Sequence, residues 1–198
     1  MSIADKLVVI AENEQKVFDA GKKAKYDAFW DAYQKNGNRR QYDYAFYNFW
    51  DDITYNPKYP IVVTSTSGYI YAANDITSTK VPITIDTATA NYLFYACRAL
   101  KTIPSIKVTS KVSGLTGWFN LCPELEEIYF TDDSEIANDV RFFDCEKLTH
   151  ASLLSIIGAL KDYSGTSETK KLTLGTTNLG KLTDAEKAIA TQKGWSLA

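Results

Sequence analysis

The stretch FYACRAL, residues 94–100, returns as FNLCPEL at residues 119–125 and as FFDCEKL at residues 142–148. Each copy has Phe at its first position, Cys at its fourth and Leu at its seventh. The copies begin 25 and then 23 residues apart, and a period of this length is typical of a repeat architecture. All three cysteines of the chain lie inside this frame. An earlier, degenerate copy is predicted with Tyr71 and Asn74 at the Phe and Cys positions.

Stacking of the repeats explains why the frame keeps its internal spacing. One unit cannot bury its apolar side alone, whereas stacked units place equivalent residues on one another in a continuous core. Successive strands would then lie about 4.8 Å apart in a parallel sheet. The Cys position requires a small apolar residue at a tight corner, and reduced Cys behaves as one. The predicted structural ladder comprises Phe94, Cys97, Leu100, Phe119, Cys122, Leu125, Phe142, Cys145 and Leu148.

A metal site or a catalytic thiol is the alternative interpretation of these cysteines. No C-x-x-C or C-x-x-H motif occurs, and His150 is the single histidine of the chain. The frame directs Cys145 inward, away from the polar pocket that a catalytic thiol requires. An odd number of cysteines also argues against a complete disulfide framework. We therefore expect all three thiols to be structural.

Two regions are predicted ahead of the repeats. Residues 1–35 are expected to form a long helix, because they contain no Pro and a series of mostly apolar or small residues, interrupted by Glu14, recurs at alternating spacings of four and three. This helix is either an oligomerising stalk or an amphipathic helix packed on its own domain. Residues 36–60 are expected to form an aromatic-rich junction or cap, with an aromatic sugar-binding platform as the alternative. The candidate oligomerisation residues are Ile3, Leu7, Ile10 and Val17.

The remaining chain is predicted to be a repeat body followed by a cap. Residues 61–179 contain short runs such as VPITI and SIKVT, whose Val, Ile and Thr content is typical of strands. A helix is predicted at residues 148–160. In the cap, residues 180–198, Thr183 and Glu186 make a capping box for a helix. The predicted fold class is α+β, with an N-terminal long helix, a short parallel β solenoid and a helical C-terminal cap.

Composition and motif content argue against several functions. The net charge of the 198-residue chain is −2, so no global field favours nucleic acid or an anionic membrane. No phosphate-binding loop, zinc-protease motif or nucleophile-elbow motif is present, and we expect neither an enzyme nor a cofactor. No stretch approaches the roughly 18 apolar residues of a membrane span. No signal peptide is recognisable either, so synthesis in the cytoplasm is expected.

One acidic stretch, TDDSE at residues 131–135, is a candidate calcium site. Asp132, Asp133 and Glu135 could supply the carboxylate oxygens that Ca²⁺ prefers. The alternative is a solvated loop between two strands, and this alternative is the one we favour. No metal ion is therefore assigned from the sequence.

The F-x-x-C-x-x-L-x-x-I unit, repeated every 23–25 residues, resembles the BspA-type leucine-rich repeat of bacterial surface proteins and of proteins from bacteria-infecting viruses. This resemblance covers about residues 66–155. Residues 12–39 and 148–198 are similar to the terminal segments of such proteins in gut Firmicutes and their phages and prophages. The resemblance implies a leucine-rich-repeat-like solenoid used for binding or for virion assembly. It supplies no catalytic residues.

From this resemblance we expect a non-enzymatic phage virion component, namely a tail-fibre or tail-tip protein whose repeat body binds a host surface receptor or a protein. A homo-oligomer is expected, with a trimer favoured, and neither nucleic acid nor membrane is an expected partner. The expected location is the virion, after synthesis in the host cytoplasm. The alternative is a bacterial BspA-like adhesin or protein-interaction module, located in the cytoplasm or at the cell surface.

Overall fold

A computed structural model describes residues 60–63 and 72–198 of the chain. The predicted helix at residues 1–35 and all but the last residue of the predicted junction at residues 36–60 lie outside the described residues. The same is true of Tyr71 and of the oligomerisation candidates Ile3, Leu7, Ile10 and Val17. The domain boundaries proposed above stay predictions.

The described residues form seven strands and three helices, and every paired strand is parallel to its neighbour. One sheet has the order β1-β2-β3-β4 and the other has the order β5-β6-β7. This arrangement confirms an α+β repeat fold with parallel strands. In chain order the elements are β1 (Ile61–Val63), β2 (Ile83–Ile85), β3 (Thr102–Val108), β4 (Glu127–Phe130), β5 (Val140–Arg141), α1 (His150–Gly158), β6 (Lys170–Thr173), α2 (Gly175–Leu179), α3 (Asp184–Gln192) and β7 (Trp195–Leu197).

Columns of apolar residues run across the strands of the first sheet. In one column, Ile61 pairs with Ile83, Ile83 with Ile106, and Ile106 with Phe130. The three isoleucines are buried. β-Branched residues suit a pleated surface that is covered on one side. Each strand of the first sheet therefore contributes one residue to this column.

The phenylalanines of the frame form a further column. The ring centroids of Phe94 and Phe119 lie 5.0 Å apart with an interplanar angle of 5°, and those of Phe119 and Phe142 lie 5.1 Å apart with an angle of 20°. These separations are close to the spacing of neighbouring strands, about 4.8 Å. Stacked aromatic pairs contribute about 0.5–1.5 kcal/mol beyond the burial of their surface. The repeat spacing thus brings the rings into register.

The earlier copy of the frame lies one residue nearer the N-terminus than predicted. Ala73 is buried, whereas Asn74 is exposed. Ala72 and Ala96 both have left-handed backbone, with φ of 51° and 57°. This equivalence places Ala73 at the position of Cys97. The prediction that Asn74 fills the Cys position is therefore wrong, because the corner accepts a small apolar side chain from Ala73 instead.

Helix α1 takes the place of a fifth strand beside β4. The Ser152 hydroxyl accepts a hydrogen bond from the Ile128 N–H at 3.0 Å and donates one to the Glu126 carbonyl at 3.1 Å. The Ser155 hydroxyl accepts from the Phe130 N–H at 2.7 Å. An uncovered strand edge is a pairing site for other chains. The helix predicted at residues 148–160 is confirmed, and its serines close this edge.

The C-terminal cap ties helix α3 to helix α1. The predicted capping box is confirmed, since Thr183 Oγ1 accepts from the Glu186 N–H at 3.3 Å and Glu186 Oε2 accepts from the Thr183 N–H at 2.8 Å. Lys193, which follows α3, donates to the carbonyls of Ile157 and Gly158 at 3.1 and 2.9 Å. A cation is favourable at this C-terminal end of a helix.

In the part of the chain that the structure describes, every helix is too short or too polar to cross a bilayer.

Candidate protein-binding groove

A ladder of backbone hydrogen bonds joins residues 90–96 to residues 114–120, outside the two sheets. The N–H groups of alternate residues in the first segment donate to carbonyl groups in the second at 2.8–3.1 Å. The four bonds run from Ala90 to Gly114, from Tyr92 to Thr116, from Phe94 to Trp118 and from Ala96 to Asn120.

Both segments pass through left-handed backbone at equivalent positions. Tyr92 and Gly117 have φ of 57° and 66°, and Ala96 and Leu121 have φ of 57° and 60°. Left-handed backbone costs a residue other than Gly about 1–2 kcal/mol. Its recurrence at three such residues indicates that the ladder maintains this geometry from one repeat to the next.

The third repeat departs from this geometry. Val140 and Asp144 stand at the positions of Gly117 and Leu121, and neither has a positive φ. Left-handed backbone is especially unfavourable for a β-branched residue such as Val. Val140 is instead extended and pairs with Leu172 in the second sheet.

The ladder is therefore interrupted between the second and third frames. Within the described chain, no backbone hydrogen bond joins residues 114–121 to residues 138–144. A side chain bridges part of the gap, because Asp144 Oδ2 accepts from the Leu121 N–H at 3.0 Å. A groove with a volume of about 610 Å³ lies at this interruption.

Two exposed aromatic rings border the groove. Tyr92 is 42% exposed and Phe143 is 48% exposed. The Tyr92 ring lies directly on Gly117, where an added Cβ would stand 2.5 Å from a ring carbon. A side chain at position 117 would therefore displace this ring. The lining includes Tyr92, Gly117, Asn120, Arg141, Phe143 and Lys171.

The charge lining the groove is positive although the whole chain has a net charge of −2. Arg141 and Lys171 contribute two cations, and Asp139 contributes one carboxylate. Asp139 Oδ1 accepts from the backbone N–H of Lys171 at 2.8 Å. The guanidinium carbon of Arg141 lies 5.9 Å from the centroid of the Phe143 ring, within the distance of a cation–π contact.

A smaller groove of about 330 Å³ also has Phe143 in its lining. Its charged residues are Glu124, Asp144, Glu146 and Lys147, so carboxylates predominate. Lys147 Nζ donates to both carboxylate oxygens of Glu124 at 2.7 Å, and this contact lowers the pKa of Glu124 from its ordinary value. Phe143 therefore separates a basic groove from an acidic one.

The nine residues of the predicted ladder lie in the core and not in the groove. Burial raises the pKa of the Cys97 and Cys145 thiols well above the ordinary range. All three cysteines are free thiols. None of the nine side chains is more than 1% exposed; they are Phe94, Cys97, Leu100, Phe119, Cys122, Leu125, Phe142, Cys145 and Leu148.

The three carboxylates of the candidate calcium site do not converge. Asp133 forms an ion pair with Lys107, and Glu135 forms one with Lys161 at 3.2 Å. The Lys107 contact holds the pKa of Asp133 below its ordinary value. Among the described residues, no cluster of three or more His, Cys, Asp or Glu side chains could hold a metal ion.

The repeats match a family of known proteins. A family model described as the BspA type leucine rich repeat region (6 copies) matches residues 35–149 and, in a second match, residues 64–177. The first match alone covers more than half of the 198 residues. The chain is a BspA-type leucine-rich-repeat protein. No curated protein and no solved structure matches the chain.

Membership of the BspA-type family indicates a protein-interaction or adhesin module. Leucine-rich repeats generally mediate contacts between proteins. The family match spans the interrupted ladder and therefore includes both segments that border the groove. A protein-binding surface is thus the kind of site to seek on this BspA-type repeat.

The groove residues were not predicted from the sequence, although two signals for them were present. The second and third frames lie two residues closer together than the first and second. Val140 also replaces Gly117 at a position where the backbone is left-handed. Together these signals mark the place where the third repeat cannot continue the ladder.

Proposed function

We propose that this chain is a non-enzymatic protein-binding module whose groove, between residues 114–121 and residues 138–144, contacts a partner protein. The observation that carries the proposal is the pair of exposed rings, Tyr92 and Phe143, beside the Arg141 guanidinium. Tyr and Arg are enriched among the residues that dominate protein interfaces. The BspA-type family match supports the same class of function.

The state of the thiols supports a non-catalytic role. A thiol acts as a nucleophile only as its thiolate. Burial raises the pKa of Cys97 and Cys145, so both stay protonated at neutral pH. His150 lies at the surface, where its Nε2 is 2.9 Å from Glu186 Oε1. We therefore assign neither an enzymatic activity nor a cofactor.

The setting that we propose is a phage virion, in which the chain is a tail-fibre or tail-tip component with a short solenoid body facing the host. The resemblance of residues 12–39 and 148–198 to proteins of gut Firmicutes and their phages supports this setting. The spacing of apolar residues in residues 1–35 supports a homo-oligomer, with a trimer favoured. Detection of the chain in purified virions by mass spectrometry and a trimeric mass by light scattering are the expected results.

A bacterial BspA-like adhesin is the second candidate, and the family match favours it. The neighbouring genes separate the two settings. Tail and lysis genes are expected for the virion component, whereas secretion and wall-anchoring genes would support the adhesin. A monomeric mass would contradict the oligomerising stalk. The remaining interpretation would be a module that binds a single partner protein.

Site-specific photocross-linking tests whether the groove binds a protein. Benzoylphenylalanine is introduced at Phe143 and, as a matched control, at Ile189, which is 44% exposed on helix α3. Irradiation in the native host cells is expected to attach a second protein at position 143 and not at position 189. Equal cross-linking at both positions, or none at position 143, would refute the groove as the binding surface.

A further inference from the structure

We propose that the groove binds an extended, acidic segment of the partner protein, whose carbonyl groups continue the interrupted ladder and whose carboxylates contact Arg141 and Lys171. This inference rests on the proposed function and specifies the chemistry of the partner. Three observations carry it: unused backbone donors, excess positive charge and exposed rings, all at one gap between two repeats.

The first observation is a pair of backbone donors without acceptors. In the preceding repeat, Tyr92 and Phe94 donate to the carbonyls of Thr116 and Trp118 at 2.8 and 3.1 Å. Their counterparts 25 residues later are Gly117 and Phe119.

Within the described chain, the N–H groups of Gly117 and Phe119 have no hydrogen-bond acceptor. Native proteins rarely leave backbone N–H groups unpaired away from water. Extended peptides add a strand through main-chain hydrogen bonds. Because Gly117 lines the groove whereas Phe119 is fully buried, the Gly117 N–H is the donor available to such a peptide. The gap therefore suits a segment that presents backbone carbonyls.

The second observation is the charge. Arg141 and Lys171 outnumber the single carboxylate of Asp139, and Asp139 is engaged by the Lys171 N–H. A guanidinium presents a planar set of donors that matches a carboxylate. The Gly117 N–H and the two cations are all donors, so a segment rich in acceptors complements them. An acidic peptide meets this requirement and a basic peptide does not.

The third observation concerns the shape of the segment. Tyr92 and Phe143 place apolar rings on the same groove as the two cations. Successive side chains of an extended chain point in opposite directions. In a segment of alternating acidic and apolar residues, the acidic side chains can therefore contact the cations while the apolar side chains contact the rings. The acidic groove beyond Phe143, with Glu124 and Glu146, disfavours continuation of an acidic segment in that direction.

The test uses three fluorescein-labelled probes with the full chain. They are a seven-residue peptide of alternating Glu and Val, the matched peptide of Lys and Val, and a seven-nucleotide oligothymidylate. Fluorescence anisotropy at low salt is expected to show at least tenfold tighter binding of the Glu–Val peptide than of the Lys–Val peptide. An analogue whose alternate amides are esters, which accept hydrogen bonds more weakly, is expected to bind about tenfold more weakly.

Variants locate the binding. The double variant Arg141→Ala and Lys171→Ala is expected to reduce affinity for the Glu–Val peptide at least tenfold. The matched control, Lys111→Ala with Lys187→Ala, removes two lysines outside the groove and is expected to retain affinity. Circular dichroism verifies that both double variants are folded, as expected because Arg141 and Lys171 are exposed.

The outcomes separate this inference from the proposed function. Equal binding of both peptides, tighter binding of oligothymidylate, unchanged affinity of the ester analogue or the groove variant, or no binding of the Glu–Val peptide would each overturn the inference. If position 143 still cross-links to a protein while the Glu–Val peptide fails to bind, the proposed function stands and only the acidic extended partner is refuted. Failure of both experiments refutes both.

Discussion

The thiol of Cys122 donates a hydrogen bond to the main-chain oxygen of Phe94, 3.0 Å away and one repeat earlier in the chain. Cys145 makes the equivalent contact with the main-chain oxygen of Phe119 at 3.5 Å. The sulfur at the fourth position of the frame therefore fills the corner and also joins it to the preceding corner. A small apolar side chain without a donor can perform only the first of these roles.

The substitution Cys122→Ala is expected to lower the free energy of unfolding by about 0.5–1.5 kcal/mol, because the buried Phe94 carbonyl loses one donor and keeps the Cys97 N–H at 3.4 Å. Urea denaturation measures the change. The control Ser110→Ala alters an exposed side chain and is expected to be nearly neutral. Equal stability of Cys122→Ala and the wild type would show that the thiol contributes no hydrogen bond.

Removal of the hydroxyl at Ser152 is expected to expose the edge of β4. In Ser152→Ala the buried Ile128 N–H loses its acceptor, so the free energy of unfolding is expected to fall by about 1–3 kcal/mol. Hydrogen exchange at the Ile128 amide is expected to accelerate more than exchange at amides within β2. The exposed control Ser164→Ala is expected to leave the Ile128 amide unchanged. Unaltered exchange in Ser152→Ala would contradict the assignment of the serine as the edge partner.

Two glycine substitutions are expected to have opposite signs. Gly117→Ala requires a left-handed alanine, which costs about 1–2 kcal/mol, and also displaces the Tyr92 ring, so it should destabilise the protein. Gly158→Ala lies in helix α1 with no atom within 4 Å of the added Cβ, and should stabilise it by about 0.5–1 kcal/mol. Thermal unfolding of both variants provides the measurement. A stabilised Gly117→Ala would be incompatible with the tight contact between position 117 and the Tyr92 ring.

Glu186 is expected to make stability depend on pH in the acidic range. The Thr183 N–H and His150 Nε2 lie 2.8 and 2.9 Å from its carboxylate oxygens and hold the pKa of Glu186 below its ordinary value of 4.5. The unfolded chain therefore binds a proton more readily than the folded one. The stabilising contribution is complete above pH 4.5 and is lost as the pH falls through the lower folded pKa.

The difference in urea midpoint between the wild type and Glu186→Gln is accordingly expected to be largest near neutral pH and to shrink below pH 4.5. Asp132→Asn provides a control at an exposed carboxylate for which the structure shows no side-chain hydrogen bond. A difference that stays constant from neutral pH to pH 3 would contradict a lowered pKa at Glu186.

The columns of the core were predictable because they depend on periodicity alone. Once the Phe, Cys and Leu spacing is recognised, stacking determines which residues face one another, and no long-range information is needed. The weakest copy shows the limit of this reasoning. The first copy has no Cys, so the sequence pattern does not distinguish Ala73 from Asn74 as the corner residue. The structure distinguishes them, because Ala73 is buried and Asn74 is exposed.

The groove was not predictable in the same way, because it depends on a pairing that is distant in the chain. Val140 becomes extended by pairing with Leu172, which follows helix α1. The sequence predicts that helix but does not indicate that its serines bond to β4. Periodicity predicts the positions at which successive repeats have the same backbone geometry. The groove arises where the third repeat departs from the geometry of the second.

The position of helix α1 also has a consequence for lengthening the protein. Because the helix covers the outer edge of β4, new units cannot be appended to the first sheet after that strand. An internal duplication avoids this obstacle. A second copy of residues 94–118, inserted between Trp118 and Phe119, would add a strand within the stack while leaving Ser152 on its present partner. Helix α1 therefore terminates the first sheet at β4, and on this side of the sheet a further repeat can enter only by insertion before that strand.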